Sequence, residues 1–171
     1  MSTHKQPWTA RRILREALVF ALLLFVVSTA LNWWRAPKLE SDTLPRIQTT
    51  LIDGSLFDTA SLKDRPLLIN FWGTWCPVCT QEAGNIDALS KKYRILTIAV
   101  NSGSNAEIQD WMRQQDVGYP VLNDTGGQWA ARFRVSIYPT TFIYDSKGKL
   151  KFTETGYSTT AGLLARMKLA E

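Results

Sequence analysis

Six consecutive residues, Leu67-Leu68-Ile69-Asn70-Phe71-Trp72, form a short, mostly apolar run that reads as a buried strand, and four residues further on the chain reaches Cys76-Pro77-Val78-Cys79. From Pro77 to Leu89 the residues suit a helix with a proline in its first turn. No other feature constrains the fold as much as this strand-to-helix junction, because it carries the only two cysteines in 171 residues. At a helix start the unpaired amides and the dipole favour negative charge, which lowers a thiol's pKa and enlarges its reactive fraction. Cys76 is expected at that start as the more exposed thiol, with Cys79 one turn in and covered. A bridge closing so short a loop adds only about 2 kcal/mol of chain-entropy stabilisation, so a structural staple is a poor reading. A closed zinc site needs about four ligands, and the sole histidine, His4, lies beyond a hydrophobic segment. Reversible dithiol and disulfide exchange remains, with Cys76 attacking a target and Cys79 resolving the mixed disulfide.

The rest of the chain alternates strands with helices. Ile47 to Ile52, the dipeptide Asp53-Gly54 and Ser55-Leu56-Phe57 read as a hairpin. Arg94 to Val100 reads as a strand, and Asn105 to Asp116 as a helix with a polar cap. Thr140 to Tyr144, a turn at Asp145 to Gly148 and Lys149 to Glu154 form a second hairpin, followed by a closing helix from Thr160 to Lys168. That order predicts an α/β architecture, a parallel or mixed central sheet with helices on both faces. About 125 residues suffice for one domain with its own core and are too few for two. Trp111 and Trp129 are expected in the core or a groove wall, and the glycosylation triplet Asn123-Asp124-Thr125 is a chance match.

The run Asn70-Phe71-Trp72-Gly73-Thr74-Trp75-Cys76-Pro77-Val78-Cys79, with Glu82 three residues beyond the second cysteine and Tyr138-Pro139-Thr140-Thr141 downstream, resembles the thioredoxin superfamily. Within it the chain is similar to the membrane-tethered TlpA/ResA branch, most of all to ScsD-type protein disulfide oxidoreductases, and Trp-Cys-Pro-X-Cys is also similar to the cytochrome c maturation thioredoxins. The resemblance covers residues 47 to 169 and implies a thioredoxin-like fold with an N-terminal β-hairpin extension. It implies a cis-proline at Pro139 facing the cysteines, which leaves the backbone of Tyr138 to pair with a substrate chain; an ordinary trans proline opening a strand is the plain alternative. Tyr138 itself either contacts substrate or covers the sulfurs. Pro77 and Val78 form the dipeptide that helps set redox potential in this superfamily, and with Trp75 they flank the substrate site. Trp72 and Trp75 are expected to pack around the sulfurs.

Glu82 shares a helix face with Cys79. It is either a general base for Cys79 during resolution or an acid drawn to the helix dipole. Asn70 departs from ordinary thioredoxins, which carry a buried aspartate at that place. An amide cannot exchange the proton, and Glu82 becomes the substitute. The redox-active Cys76–Cys79 pair is the whole reactive group, with no other cofactor and no metal expected.

At the N-terminus, Lys5, Arg11, Arg12 and Arg15 precede an uncharged stretch from Ala17 to Leu31, and Trp33, Trp34 and Arg35 follow it. Residues 13–34 read as a transmembrane signal-anchor, with Arg15 snorkelling and the tryptophans at the interface. The excess of basic residues before it places residues 1–12 in the cytoplasm and the rest in the periplasm. A cleaved signal peptide is the competing reading, since Ser28-Thr29-Ala30 has the small residues a peptidase accepts. Arg11-Arg12 is only a weak hint of twin-arginine export.

Six of the twenty basic residues and one of the fifteen acids lie at or before Lys38, leaving fourteen of each beyond it. The net charge of +5 is therefore a topology signal and gives no support to a nucleic-acid partner. Residues 35–46, with two prolines and several polar side chains, read as a tether of at most about 40 Å, ahead of a domain at 47–171.

These readings converge on a membrane-anchored periplasmic thiol-disulfide oxidoreductase acting on protein substrates. The reducing direction is favoured, because a reductant in an oxidising compartment must receive electrons across the membrane, and the resemblance implies a DsbD-like transmembrane donor. Disulfide oxidase or isomerase activity is the alternative. A copper-handling thiol carrier is a reading of a different class, set against the lack of any histidine beyond His4.

Overall fold

The computed structural model describes residues 10–61 and 65–171. The chain divides into two compact units between Arg35 and Ala36. The first contains helix α1 (Ala10–Arg35), 26 residues long. Its stretch Arg11–Asn32 is long and apolar enough to cross a membrane and fits a signal-anchor or a signal peptide equally. Most of the expected cytoplasmic N-terminus, residues 1–9, lies outside the described residues.

The second unit is built on a five-stranded mixed sheet in the order β5 (Val121–Asp124), β4 (Arg94–Val100), β3 (Leu67–Trp72), β6 (Thr140–Tyr144), β7 (Leu150–Thr155). Strand β3 lies parallel to β4 and antiparallel to β6. Strand β4 is parallel to β5, and β7 is antiparallel to β6. All of β3 is buried, as an apolar run covered on two sides requires. Its alternating side chains feed two cores. Leu68 and Trp72 join Ile86, Leu89, Ile108, Leu163 and Met167, supplied by α2 (Pro77–Ser90), α3 (Asn105–Gln115) and α5 (Thr160–Leu169). Leu67, Ile69 and Phe71 join Ile47, Leu51, Ala130, Phe133 and Phe142 on the other side.

Helices lie on both faces as expected, but the second side carries little helix. Its helix is the five-residue α4 (Gln128–Arg132). The remaining cover comes from a hairpin of β1 (Gln48–Thr50) and β2 (Leu56–Asp58), whose flanking Ile47, Leu51 and Phe57 pack on the core. The segment expected as a free tether supplies the rest. Leu39 and Leu44 pack on the same core, Leu44 N–H donates to the Gly148 carbonyl at 2.7 Å, and Thr43 forms a β-bridge with Lys149. Arg134 also pairs with Glu40. The reason is unsatisfied apolar surface: without a long helix, this side of the sheet needs other side chains to exclude water.

Candidate active site

Cys76 is the N-cap of α2, and Pro77 occupies a first-turn position, where its missing N–H costs nothing. The Cys76 backbone is extended, the Cys79 amide points at the Cys76 sulfur at 3.2 Å, and the two sulfurs are joined as a disulfide with the Cα atoms 5.3 Å apart. A charge on Cys76 would therefore face an amide already aimed at it. In this oxidised form both cysteines are buried, 5% exposed for Cys76 and 3% for Cys79, so the expected contrast between a more exposed and a covered residue is small. The exposed part of the motif is its middle, Pro77 and Val78.

Trp75 stands 53% exposed beside the disulfide and is fixed. Its indole N–H donates to the Val100 carbonyl at 3.0 Å, and its ring meets Tyr138 edge-on with centroids 5.3 Å apart. A Cβ on Gly73 would come within 2.6 Å of that indole, so glycine is what lets the ring lie back over the turn. Trp72 is buried in the same core as both cysteines and packs on Trp111 at 4.6 Å, which makes Trp111 a core residue as expected. Trp129 packs against the other core, under the Arg132 guanidinium. The Tyr138–Pro139 bond is cis, in agreement with the resemblance, and Pro139 is buried at the mouth of β6.

Glu82 is 1% exposed, on the inward side of α2 and one turn beyond Cys79. An acid held there only by the helix dipole would sit in solvent in the first turn. Burial pushes its pKa up to about 7, against the Ser158 backbone N–H and the Asn70 amide, which both favour the charged form. The Ser158 N–H donates at 2.7 Å, and Asn70 Nδ2 reaches Glu82 at 3.3 Å and the Thr141 hydroxyl at 2.9 Å. Asn70 thus ties the acid to the strand that begins after the cis-proline. Ser158 left no mark in the sequence, and Thr141 entered there only as the end of the Tyr138 to Thr141 motif, with no contact assigned to it. Ser158 lies 76 residues from Glu82, and a backbone N–H carries no residue-type signal. A carboxyl poised near neutrality one turn from the inner cysteine can accept that thiol's proton.

Residues 41–153 match the AhpC/TSA family. A curated thioredoxin-like protein of Haemophilus influenzae is 30% identical over 94% of this chain and 96% of its own length. The thiol-disulfide oxidoreductase ResA of Bacillus subtilis is 29% identical over 87% of each. Among solved structures, the exposed lipoprotein thioredoxin of Streptococcus pneumoniae superposes with a TM-score of 0.66 at 25% identity, covering 73% of this chain and 99% of that one. A secreted Mycobacterium tuberculosis disulfide oxidoreductase does so with a TM-score of 0.62 at 26% identity, covering 72% and 95%. The sheet order, the hairpin and the flanking helices described above are a thioredoxin-like fold.

Proposed function

The chain belongs to the AhpC/TSA family of thioredoxin-like proteins and is a thiol-disulfide oxidoreductase; from that premise we propose that it is anchored in the inner membrane by α1 and reduces disulfides of periplasmic proteins. The observation that carries the chemistry is the Cys79 amide aimed at a sulfur on the helix cap, with a buried acid one turn away.

In the reducing direction Cys76 enters as thiolate and attacks one sulfur of a substrate disulfide. That S–S bond breaks, a Cys76–substrate bond forms, and the substrate's other sulfur leaves as a thiolate that takes a proton from solvent. Cys79 then gives its proton to Glu82 and attacks Cys76, which closes the disulfide and releases the second substrate thiol. Two electrons have moved to the substrate, and the protein is left oxidised. Trp75, Pro77, Val78 and the Tyr138 backbone are the surfaces on which the substrate lies during these steps.

Regeneration requires two electrons from outside the domain. An oxidising compartment does not supply them, which favours a DsbD-like transmembrane donor, and the N-terminal helix would hold the domain near one. Retention of that helix as an anchor is supported by the paired tryptophans at 33 and 34 and the basic residues before it.

Replacing Cys79 with serine removes the resolving thiol and leaves Cys76 covalently attached to whatever it captures. Diagonal electrophoresis of cells expressing Cys79→Ser should recover mixed disulfides with extracytoplasmic proteins that reductant releases. Wild-type cells should hold those same partners as free thiols, and cells lacking the protein should hold them as disulfides. Accumulation of the partners as thiols in the cells lacking it would reverse the direction, and an absence of any mixed disulfide would refute the reading.

A further inference from the structure

Cys76 is reached through a four-residue turn, Gly73 to Cys76, closed by the Cys76 N–H donating to the Gly73 carbonyl at 3.1 Å. The loop between β4 and α3 grips that turn. Ser102, which is buried, accepts the Thr74 N–H on its hydroxyl oxygen at 3.1 Å and donates the hydroxyl to the Val100 carbonyl at 3.0 Å. The same carbonyl accepts the Trp75 indole N–H, so one hydroxyl and one carbonyl hold the two residues immediately ahead of the reacting sulfur. A hydroxyl suits this place because it donates and accepts at once. The backbone brings it there. Asn101 lies in the left-handed region at φ 48°, which asparagine tolerates, and its N–H donates to the Asp124 carbonyl at 3.1 Å. The Gly103 carbonyl accepts from the Asn123 amide at 3.0 Å, and Ser104 caps α3. Strand β5 and helix α3 thus fix the loop from which Ser102 reaches Thr74.

We propose that Ser102 is a positioning residue for Cys76, a proposal that rests on the oxidoreductase reading above. In the oxidised form the bond to Cys79 itself keeps the Cys76 sulfur at the start of α2. Reduction removes that bond, and the sulfur then depends on the backbone of its own turn to stay opposite the Cys79 amide. The Ser102 hydroxyl supplies that constraint in the form that attacks substrates. Without it the Thr74 N–H loses its partner, the turn is free to shift, and a thiolate on Cys76 is held less of the time against the amide that stabilises it. The other ionisable groups on the elements around the turn are Cys79 and Glu82 on α2, Tyr138 ahead of β6, Asp124 on β5 and Glu107 in the first turn of α3. None of them is a partner of the Ser102 hydroxyl, so removing it breaks none of their hydrogen bonds.

Full-length protein in detergent, reduced beforehand, tests this by alkylation with iodoacetamide across a pH series, with the modification of Cys76 followed by mass spectrometry. Ser102→Ala and Ser102→Gly both remove the hydroxyl. Each should lower the Cys76 rate on the acid side of the profile about two- to fivefold, the scale of a charge interaction at a helix terminus. The midpoint should move upward and the plateau at high pH should stay where it is. Ser102→Thr keeps the hydroxyl and should keep the wild-type profile. Ser104→Ala weakens the same loop by removing the α3 cap but leaves the Thr74 bond in place, so it should cost stability without moving the midpoint. An unmoved midpoint in the Ser102 variants, or an equal shift in Ser104→Ala, overturns the proposal. Either result leaves the oxidoreductase reading standing, and that reading fails instead if the reduced wild-type protein leaves the disulfides of insulin intact.

Discussion

Two buried carboxylates lie on opposite faces of one sheet, and they are held in different ways. Asp124, 4% exposed on the face that carries Phe71, Phe133 and Phe142, accepts the Trp129 and Ala130 amides at the start of α4, at 3.2 and 2.9 Å. It substitutes for a cap that Gly127 has no side chain to provide. Glu82, on the cysteine face, is more deeply desolvated, and its two donors do not offset the burial. Unpartnered polar atoms do not separate the faces, since the Trp72 indole N–H has no hydrogen-bond partner on one and the Tyr144 hydroxyl has none on the other. One acid fastens a helix, and burial keeps Glu82 where it can change charge near neutral pH.

The largest expected effect comes from removing the changeable charge. Glu82 has a folded pKa of about 7 against an ordinary value of 4.5, so the folded state binds its proton more tightly than the unfolded one. Its contribution to stability is fully present below the unfolded pKa and declines as pH rises through 7, about 3 kcal/mol in all. Glu82→Gln should flatten that slope in urea unfolding measured from pH 4 to 8. It should also slow resolution of a mixed disulfide about 100-fold and abolish the rise in that step through pH 7. A variant as pH-sensitive as the wild type would erase the contrast between the two acids.

Asp124→Ala should cost about 1 to 3 kcal/mol, the penalty for two amides left unpaired. Exchange on a small disulfide should be unaffected; slowed exchange would tie Asp124 to the chemistry. The smallest effect belongs to a site outside both. Gly84 lies mid-helix in α2, and a Cβ there meets nothing within 4 Å. Gly84→Ala should raise stability by up to about 1 kcal/mol and leave kinetics alone, which shows whether the outer face of α2 is uninvolved.

Much of this was legible in the sequence where the signal is local. The run before Cys76, the N-terminal proline of α2 and the β6 to β7 turn each carry their own pattern, and so did the cysteines and Pro139. Strand β5 was missed because it has four residues, two of them Asn123 and Asp124, which read as a loop. Helix α4 begins at a glycine with no capping side chain of its own, since its cap is supplied by Asp124. The docked segment around Thr43 to Pro45 looked like a linker because its prolines and polar residues describe composition. Its partner strand at Lys149 is distant in the chain, and such pairing leaves no trace in local periodicity. The acid at Glu82 was visible, but the Ser158 amide that grips it was not, for the same reason.

The pairing of Thr43 with Lys149 fixes a polarity. Lys149 follows the end of β6, and Tyr144 on that strand is registered against Leu67, the first residue of β3, whereas Cys76 comes after the last. Six strand residues span about 20 Å. The segment ahead of the hairpin is therefore stitched on at the basal pole of the domain, while the sulfurs lie at the apical one.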